Sequence, residues 1–370
     1  MGHRTAFYLV FWLTLFTPNL LASESDSATF SNYKITQMAS GLDSPWAIVQ
    51  LDKDLFLVNE KVGTMRLVES GIISEPIKNL PQVFARSQGG LMDLQLHPDY
   101  PNNHWIYFSY ATGDRENNAL RVMRAKLKQQ QLVEQQVIFT VSPWKDTPVH
   151  YGARMTFLPD NSLLVTSGDG FDYRESAQKK DSLLGKIVRV SDDGGIPNDN
   201  PFINNKAVKP EIWSLGHRNP QGIVYDKKRQ QVFSNEHGPQ GGDEINVIEK
   251  GKNYGWPIVT NGIDYSGALI TPFKEYQGMT QPTVDWTPSI APSSLTVYYG
   301  EMFPELNGDL LSTTLKSKEL RRVKLKQDKV VLQQSLLTEI DARLRDVMID
   351  HQGAIILLTD DGRVLRVVRE

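Results

Sequence analysis

Eight polar residues of this chain stand at comparable points of a recurring pattern. Gln88 lies in SQGGL, His150 in HYGARMTF, Arg218 and Asn219 in GHRNPQG, and Arg343 and Arg345 in ARLRDV, each shortly ahead of an apolar run. Asp169 and Lys316 stand at the far ends of such runs, as does Glu236 with His237. Taken singly, a His or Arg in a β-protein is ordinarily a satisfied structural residue or a solvated one. Their coincidence at equivalent positions is what points to a site. Four of the eight are cationic. Arginine binds carboxylates through two parallel hydrogen bonds and stacks on planar rings, so such a set suits a flat polyanion.

The segment NEHGPQGGDEIN (235–246) is dense in Gly and acids, a composition that suits either a plain turn or a hard cation held by carboxylate and carbonyl oxygens. Its spacing is not that of an EF-hand loop. The chain has no cysteine, which excludes disulfides, thiolate metal sites and Cys nucleophiles. No Gly-rich phosphate loop, Gly-x-Ser-x-Gly elbow or zinc-hydrolase His spacing occurs. A net charge of −3 with scattered Lys and Arg gives no reason to expect nucleic acid as a partner.

The elements that must position these residues are strands. Short apolar runs alternate with turn residues, and long helical periods are scarce, so the chain reads as all-β. A turn followed by an apolar strand recurs at LDKDLFLVNE (51–60), LHPDYPNNHWIYFSY (96–110), LPDNSLLVTSGD (158–169), DKKRQQVFSNEH (226–237), LNGDLLSTTLK (306–316) and DHQGAIILLTDD (350–361). Six copies, roughly 45–80 residues apart, predict a six-bladed β-propeller of four-stranded antiparallel blades rather than a sandwich. Segments 171–181 and 261–286 are expected as loops on one face. In a hairpin, the start of one strand and the end of the next share an edge, so the eight residues should ring one mouth of the channel. Arg4, the apolar run 6–16 and the small residues Ala22 and Ser23 have the order of a secretory leader, which sets residues 1–23 apart from a single propeller domain over 24–370. An apolar run of that length falls short of the ~20 residues a membrane span takes. A periplasmic or secreted protein, without stable membrane insertion after leader cleavage, is expected.

The strings GLDSPWAI, QGGLMDLQLHPDY, HYGARMTFLPDNSLLVTSGD, LGKIVRV, GHRNPQG, NEHGPQGGDEIN, GKNYGWP, APSSL and RLRDV run in order from Gly41 to the C-terminus. In these the chain resembles the soluble PQQ-dependent (pyrroloquinoline quinone) aldose sugar dehydrogenases of the glucose/sorbosone dehydrogenase family. The resemblance implies a six-bladed propeller that oxidises the C1 hydroxyl of mono- and disaccharides to the lactone, passing hydride to calcium-bound PQQ and electrons to an external acceptor. It implies His150 as the base for the C1 hydroxyl proton and Arg218 beside the quinone oxygen that gains charge. Gln88, Asp169, Asn219, His237 and Asp243 are implied as cofactor-side or substrate contacts. Lys316, Arg343 and Arg345 would pair with the carboxylates of PQQ. The carbonyls of Gly238 and Pro239 would ligate the calcium at the cofactor, and Glu244 with the Tyr254 carbonyl a second, structural calcium. Val149 and His237 depart from the glucose-specialised members, which carry an acid and a Gln there, and fit the broader aldose branch. A monomer or homodimer is expected. A non-catalytic propeller binding module and a calcium-dependent lactonase are the competing classes, and the intact basic ring favours the dehydrogenase.

Overall fold

The computed structural model of the chain describes residues 1–3 and 30–370. The leader expected over 1–23 lies outside the described residues apart from its first three, and so do positions 24–29. Among the described residues no helix is long and apolar enough to cross a membrane.

Residues 33–369 form six four-stranded antiparallel sheets, the propeller expected from the six copies. Blades 1 to 5 take consecutive strands from 45–73, 91–140, 155–215, 220–286 and 292–336. Blade 6 takes three strands from 344–369 and its outermost, Tyr33–Ser40, from the other end of the chain. Pairing Tyr33 with Arg369 and Ser40 with Arg363 fastens the two ends together and closes the ring.

Each repeat copy supplies the second strand of one blade: Leu55–Glu60, Trp105–Gly113, Leu163–Ser167, Gln231–Glu236, Leu310–Thr314 and Ile355–Thr359. Several read as unbroken apolar runs because neighbouring blades cover both of their faces. Toward the rim the pattern loosens, and Lys329–Leu336 leaves most of its residues in water. Segment 171–181 is irregular apart from the 3₁₀ turn Arg174–Ala177. Segment 261–286 differs from expectation at its end: Val284–Trp286 is the outermost strand of blade 4. Val284 and Trp286 are buried and Asp285 between them is exposed, the alternation of a half-buried strand.

The innermost strands, Pro45–Asp52, Leu91–Leu96, Met155–Phe157, Pro220–Asp226, Pro292–Val297 and Leu344–Ile349, pack around the axis. Arg154, just before Met155, meets residues from the other five blades there. It stacks 4.0 Å over Trp46 of blade 1 and lies 3.0 Å from both Asp93 of blade 2 and Asp346 of blade 6. It donates to the carbonyls of Gln221, Ser293 and Arg345 at 2.9, 3.0 and 3.1 Å. Asp93 also accepts from the Met155 N–H, and Asp346 from the Ile48 N–H and the Ser294 hydroxyl. Burial pushes the Asp93 carboxyl up to about 6, against the pull of Arg154. This plug ties the innermost strands of the six blades to one another.

Candidate functional site

One mouth of the channel lies directly above the plug. Innermost strands begin there and second strands end there, as the pairs Pro45–Glu60, Pro220–Glu236, Pro292–Thr314 and Leu344–Thr359 show. A register shift follows the first residue of the innermost strand in blades 1, 2, 4, 5 and 6. Such bulges re-aim side chains at the rim of a barrel-like opening. A well of about 330 Å³ opens here, lined by Trp46, Lys61, Gln88, Asn219, His237, Arg343, Arg345 and Asp360 among others.

His150 sits beside this well in the left-handed region, at φ 50°, with its N–H donating to Gln88 Oε1 at 2.8 Å. Its Nδ1 lies 2.7 Å from Asp169 Oδ1. The Asp169 carboxylate also accepts from Trp256 Nε1 and the Phe171 N–H, both at 2.7 Å. Burial pushes the Asp169 carboxyl up, but the hydrogen bond and charge of His150, with Arg218, hold it below the usual range. A carboxylate only accepts, so Nδ1 carries the imidazole proton and Nε2 keeps its lone pair. Burial also lowers the His150 pKa, against the opposing pull of Asp169, which favours the neutral ring. The two segments cross closely at Gly168, where a Cβ would lie 2.2 Å from the His150 carbonyl oxygen.

Arg218 is buried and held on several sides. Its N–H donates to Glu236, which also takes His217 Nδ1. Its Nη1 donates to the Gly238 carbonyl at 2.6 Å and the His237 carbonyl at 3.2 Å. The guanidinium stacks 5.4 Å from Trp256 and 5.8 Å from Tyr265. These aromatics and Phe171, whose ring meets His150 edge-on, line a second cavity of about 260 Å³. Asn219 Oδ1 accepts from the Gly152 N–H and Gln221 Nε2, joining blades 3 and 4. His237 Nε2 lies 2.7 Å from the Pro292 carbonyl, and burial lowers its pKa to about 3, so the ring is neutral and donates.

The expected basic clamp is only partly gathered in the well. Arg343 and Arg345 both reach Asp360, at 2.7 and 2.8 Å. Lys316 instead lines a neighbouring cavity of about 490 Å³ with Gly238, Pro239 and Asp243, which shares His237 and Ala291 with the well. Lys61, Asp360, Trp256, Tyr265 and Arg154 were not singled out by the sequence. Lys61 and Asp360 carry nearly the signal that marked Asp169 and His237, since Lys61 directly follows the first repeat copy and Asp360 is the next-to-last residue of the last.

Asp243 fastens the glycine-rich loop: its carboxylate accepts from the N–H groups of Gly238, Ile290 and Ala291. Burial raises its pKa, against these bonds. Glu244 is pushed well above the usual range by burial and by Glu236, its register partner on the neighbouring strand. Asn246 donates to both acids, and its own buried Oδ1 has no partner. Tyr254 stacks 4.8 Å from His217, which bonds Glu236. Adjacent carboxylates, Glu236 buried and Glu244 half-buried, with an orphaned amide oxygen fit a hard cation. Among the described residues no three His, Cys, Asp or Glu side chains form a metal cluster, so carbonyls and the amide would complete the shell.

The profile of the Glucose / Sorbosone dehydrogenase family matches residues 42–366. Aldose sugar dehydrogenase YliI of Escherichia coli (strain K12) is 36% identical over 374 residues, covering 99% of each chain. The crystal structure of the soluble aldose sugar dehydrogenase from Escherichia coli in the apo-form superposes with a TM-score of 0.88 at 35% identity, covering 91% of this chain and 100% of that one. The PQQ-bound aldose sugar dehydrogenase from Streptomyces coelicolor superposes with a TM-score of 0.74 at 27% identity, covering 91% and 98%.

Proposed function

The chain belongs to the glucose/sorbosone dehydrogenase family, and from that premise we propose that it is a PQQ-dependent enzyme oxidising the C1 hydroxyl of aldose sugars to the lactone. The observation that carries this reading is a neutral, carboxylate-oriented His150 beside a well with more cations than carboxylates. The cationic surplus fits a flat polyanion, and the PQQ-bound relative supports the identity of that polyanion.

His150 Nε2 takes the proton of the C1 hydroxyl, while Asp169 holds the ring in the required tautomer and stabilises the imidazolium that forms. When bound, PQQ supplies the two-electron acceptor for the C1 hydride. Arg218, fixed by Glu236 and the Gly238 carbonyl, presents positive charge where an oxygen gains negative charge. Gln88 orients His150 through its backbone, and Asn219 holds the neighbouring strand start. Arg343, Arg345 and, from the adjoining cavity, Lys316 would hold cofactor carboxylates. Gly238 and Pro239 would offer carbonyls to one calcium, with Asp243 shaping that loop; Glu244 and the Tyr254 carbonyl would hold a second. Electrons would leave to an external acceptor, and the leader at 1–23 supports export to the periplasm or the medium.

The test is sugar-dependent dye reduction by the purified protein across a panel of mono- and disaccharides. Turnover that requires both PQQ and calcium is expected. No turnover, with no change in PQQ absorbance on mixing, would overturn the reading.

A further inference from the structure

Lys61 follows the second strand of blade 1 and enters the well with Arg343, Arg345 and Asp360. Its backbone is pinned on both sides: its N–H donates to the Ser44 carbonyl, and its carbonyl accepts from the Leu91 N–H. Its side chain crosses blade 2 at Gly90. A Cβ there would lie 2.2 Å from the Lys61 carbonyl oxygen and 2.5 Å from its Cγ. Only glycine leaves the lysine stem its path into the cavity.

The surroundings explain what the ammonium is for. Asp360 is the carboxylate that acts on it, but both oxygens of Asp360 are already taken by the two arginines. Burial, and then the charge of Arg345, hold its pKa below the usual lysine range, with Arg343 adding to the effect. Three cations thus face one carboxylate across a polar cavity. That excess is an unfavourable arrangement for an empty protein and a favourable one once an anion enters.

We propose that Lys61 is a further cofactor-binding residue, its ammonium pairing with a carboxylate of the quinone from the blade 1 side of the well. The proposal rests on the PQQ reading above. It makes a cluster from two adjacent blades, Lys61 of blade 1 and Arg343 with Arg345 of blade 6, the principal anion clamp, with Lys316 outside the well.

The test titrates PQQ, and PQQ with all three carboxylates esterified, into the calcium-loaded wild type and K61M, following cofactor absorbance and the melting temperature of the ligand-free form. A lost charge-assisted hydrogen bond should weaken PQQ binding about 10–100-fold in K61M. The triester should bind both proteins alike, and the melting temperature should not fall. Wild-type binding of PQQ with no loss in K61M would overturn the role of Lys61 and leave the PQQ reading standing. Equal losses for PQQ and triester would assign Lys61 to packing and overturn it too. Failure of the wild type to bind PQQ would overturn both.

Discussion

Two charged regions share the propeller axis and are built in opposite proportions. In the plug, Arg154 lies between two carboxylates, with carbonyls of blades 4, 5 and 6 taking its remaining donors. In the well above, Lys61, Arg343 and Arg345 face the single carboxylate of Asp360. The regions touch: Trp46 lies under Arg154 and also lines the well, and Arg154 bonds the carbonyl of Arg345. On one strand, Arg345 faces the well while its neighbour Asp346 faces the plug, as alternation with a bulge allows. A buried cation whose partners all come from the protein holds blades together, whereas cations in excess of the carboxylates beside a cavity suit a ligand.

The sharpest way to break this comparison is to remove one cation from each region. Arg154→Met leaves Asp93 and Asp346 buried with no cation between them, which should cost about 3–5 kcal/mol of stability. Asp93, already raised to about 6, would rise further without Arg154, whose charge lowers it. The folded form would then bind protons that the unfolded chain, with ordinary carboxyls, does not. The deficit should therefore be largest above the variant's own raised value and shrink as the pH falls from there to 6, below which Asp93 is protonated in both folded proteins. Urea unfolding at pH 5 and pH 8 reads this out. Arg345→Met should do the reverse, sparing stability and weakening PQQ binding. Equal stability losses in the two variants would collapse the distinction.

His150 sharpens the contrast within the mouth itself, because the proposed function gives it to the chemistry rather than to the clamp. His150→Ala should lower kcat by about 10²–10⁴-fold while PQQ affinity stays within a few-fold of wild type. The base must be neutral, and burial lowers its pKa from 6.5. Activity should therefore persist below pH 6.5 and fall only as the pH drops through that lowered value. An acid limb above 6.5 in the kcat/KM profile would contradict this environment, and loss of PQQ binding in the variant would place His150 in the clamp.

Much of this was legible in the sequence because a propeller repeats itself. Six turn-strand copies are enough to count blades, and hairpin geometry is enough to put strand starts and ends at one mouth. The same rule, carried to the ends of the first and last copies and one residue beyond the first, reaches Lys61 and Asp360. The plug had no such signal. Arg154 meets Asp93 and the Arg345 carbonyl across 61 and 191 positions of chain, and its importance comes from burial on an axis that no local pattern marks. The outermost strand Val284–Trp286 was hidden for a related reason: three residues of alternation are too few to stand out at the end of a long irregular segment.

The smallest expected effect tests whether position within the well, rather than charge alone, sets each cation's share. Arg343 and Arg345 hold the same carboxylate, yet their side chains are 51% and 15% exposed. Water screens the outer guanidinium, and exposed ion pairs contribute only ~0.2–1 kcal/mol. Arg343→Gln should therefore weaken PQQ binding by about 1.5–5-fold, less than Arg345→Gln does. The gap between the two should widen in high salt, because screening acts more strongly on exposed charge than on buried charge and so removes more of the Arg343 contribution. Titration of both variants at low and high ionic strength measures it. Equal losses at every salt concentration would mean that the well counts charges without regard to depth, and the comparison with the plug, where burial makes each contact matter, would lose its physical basis.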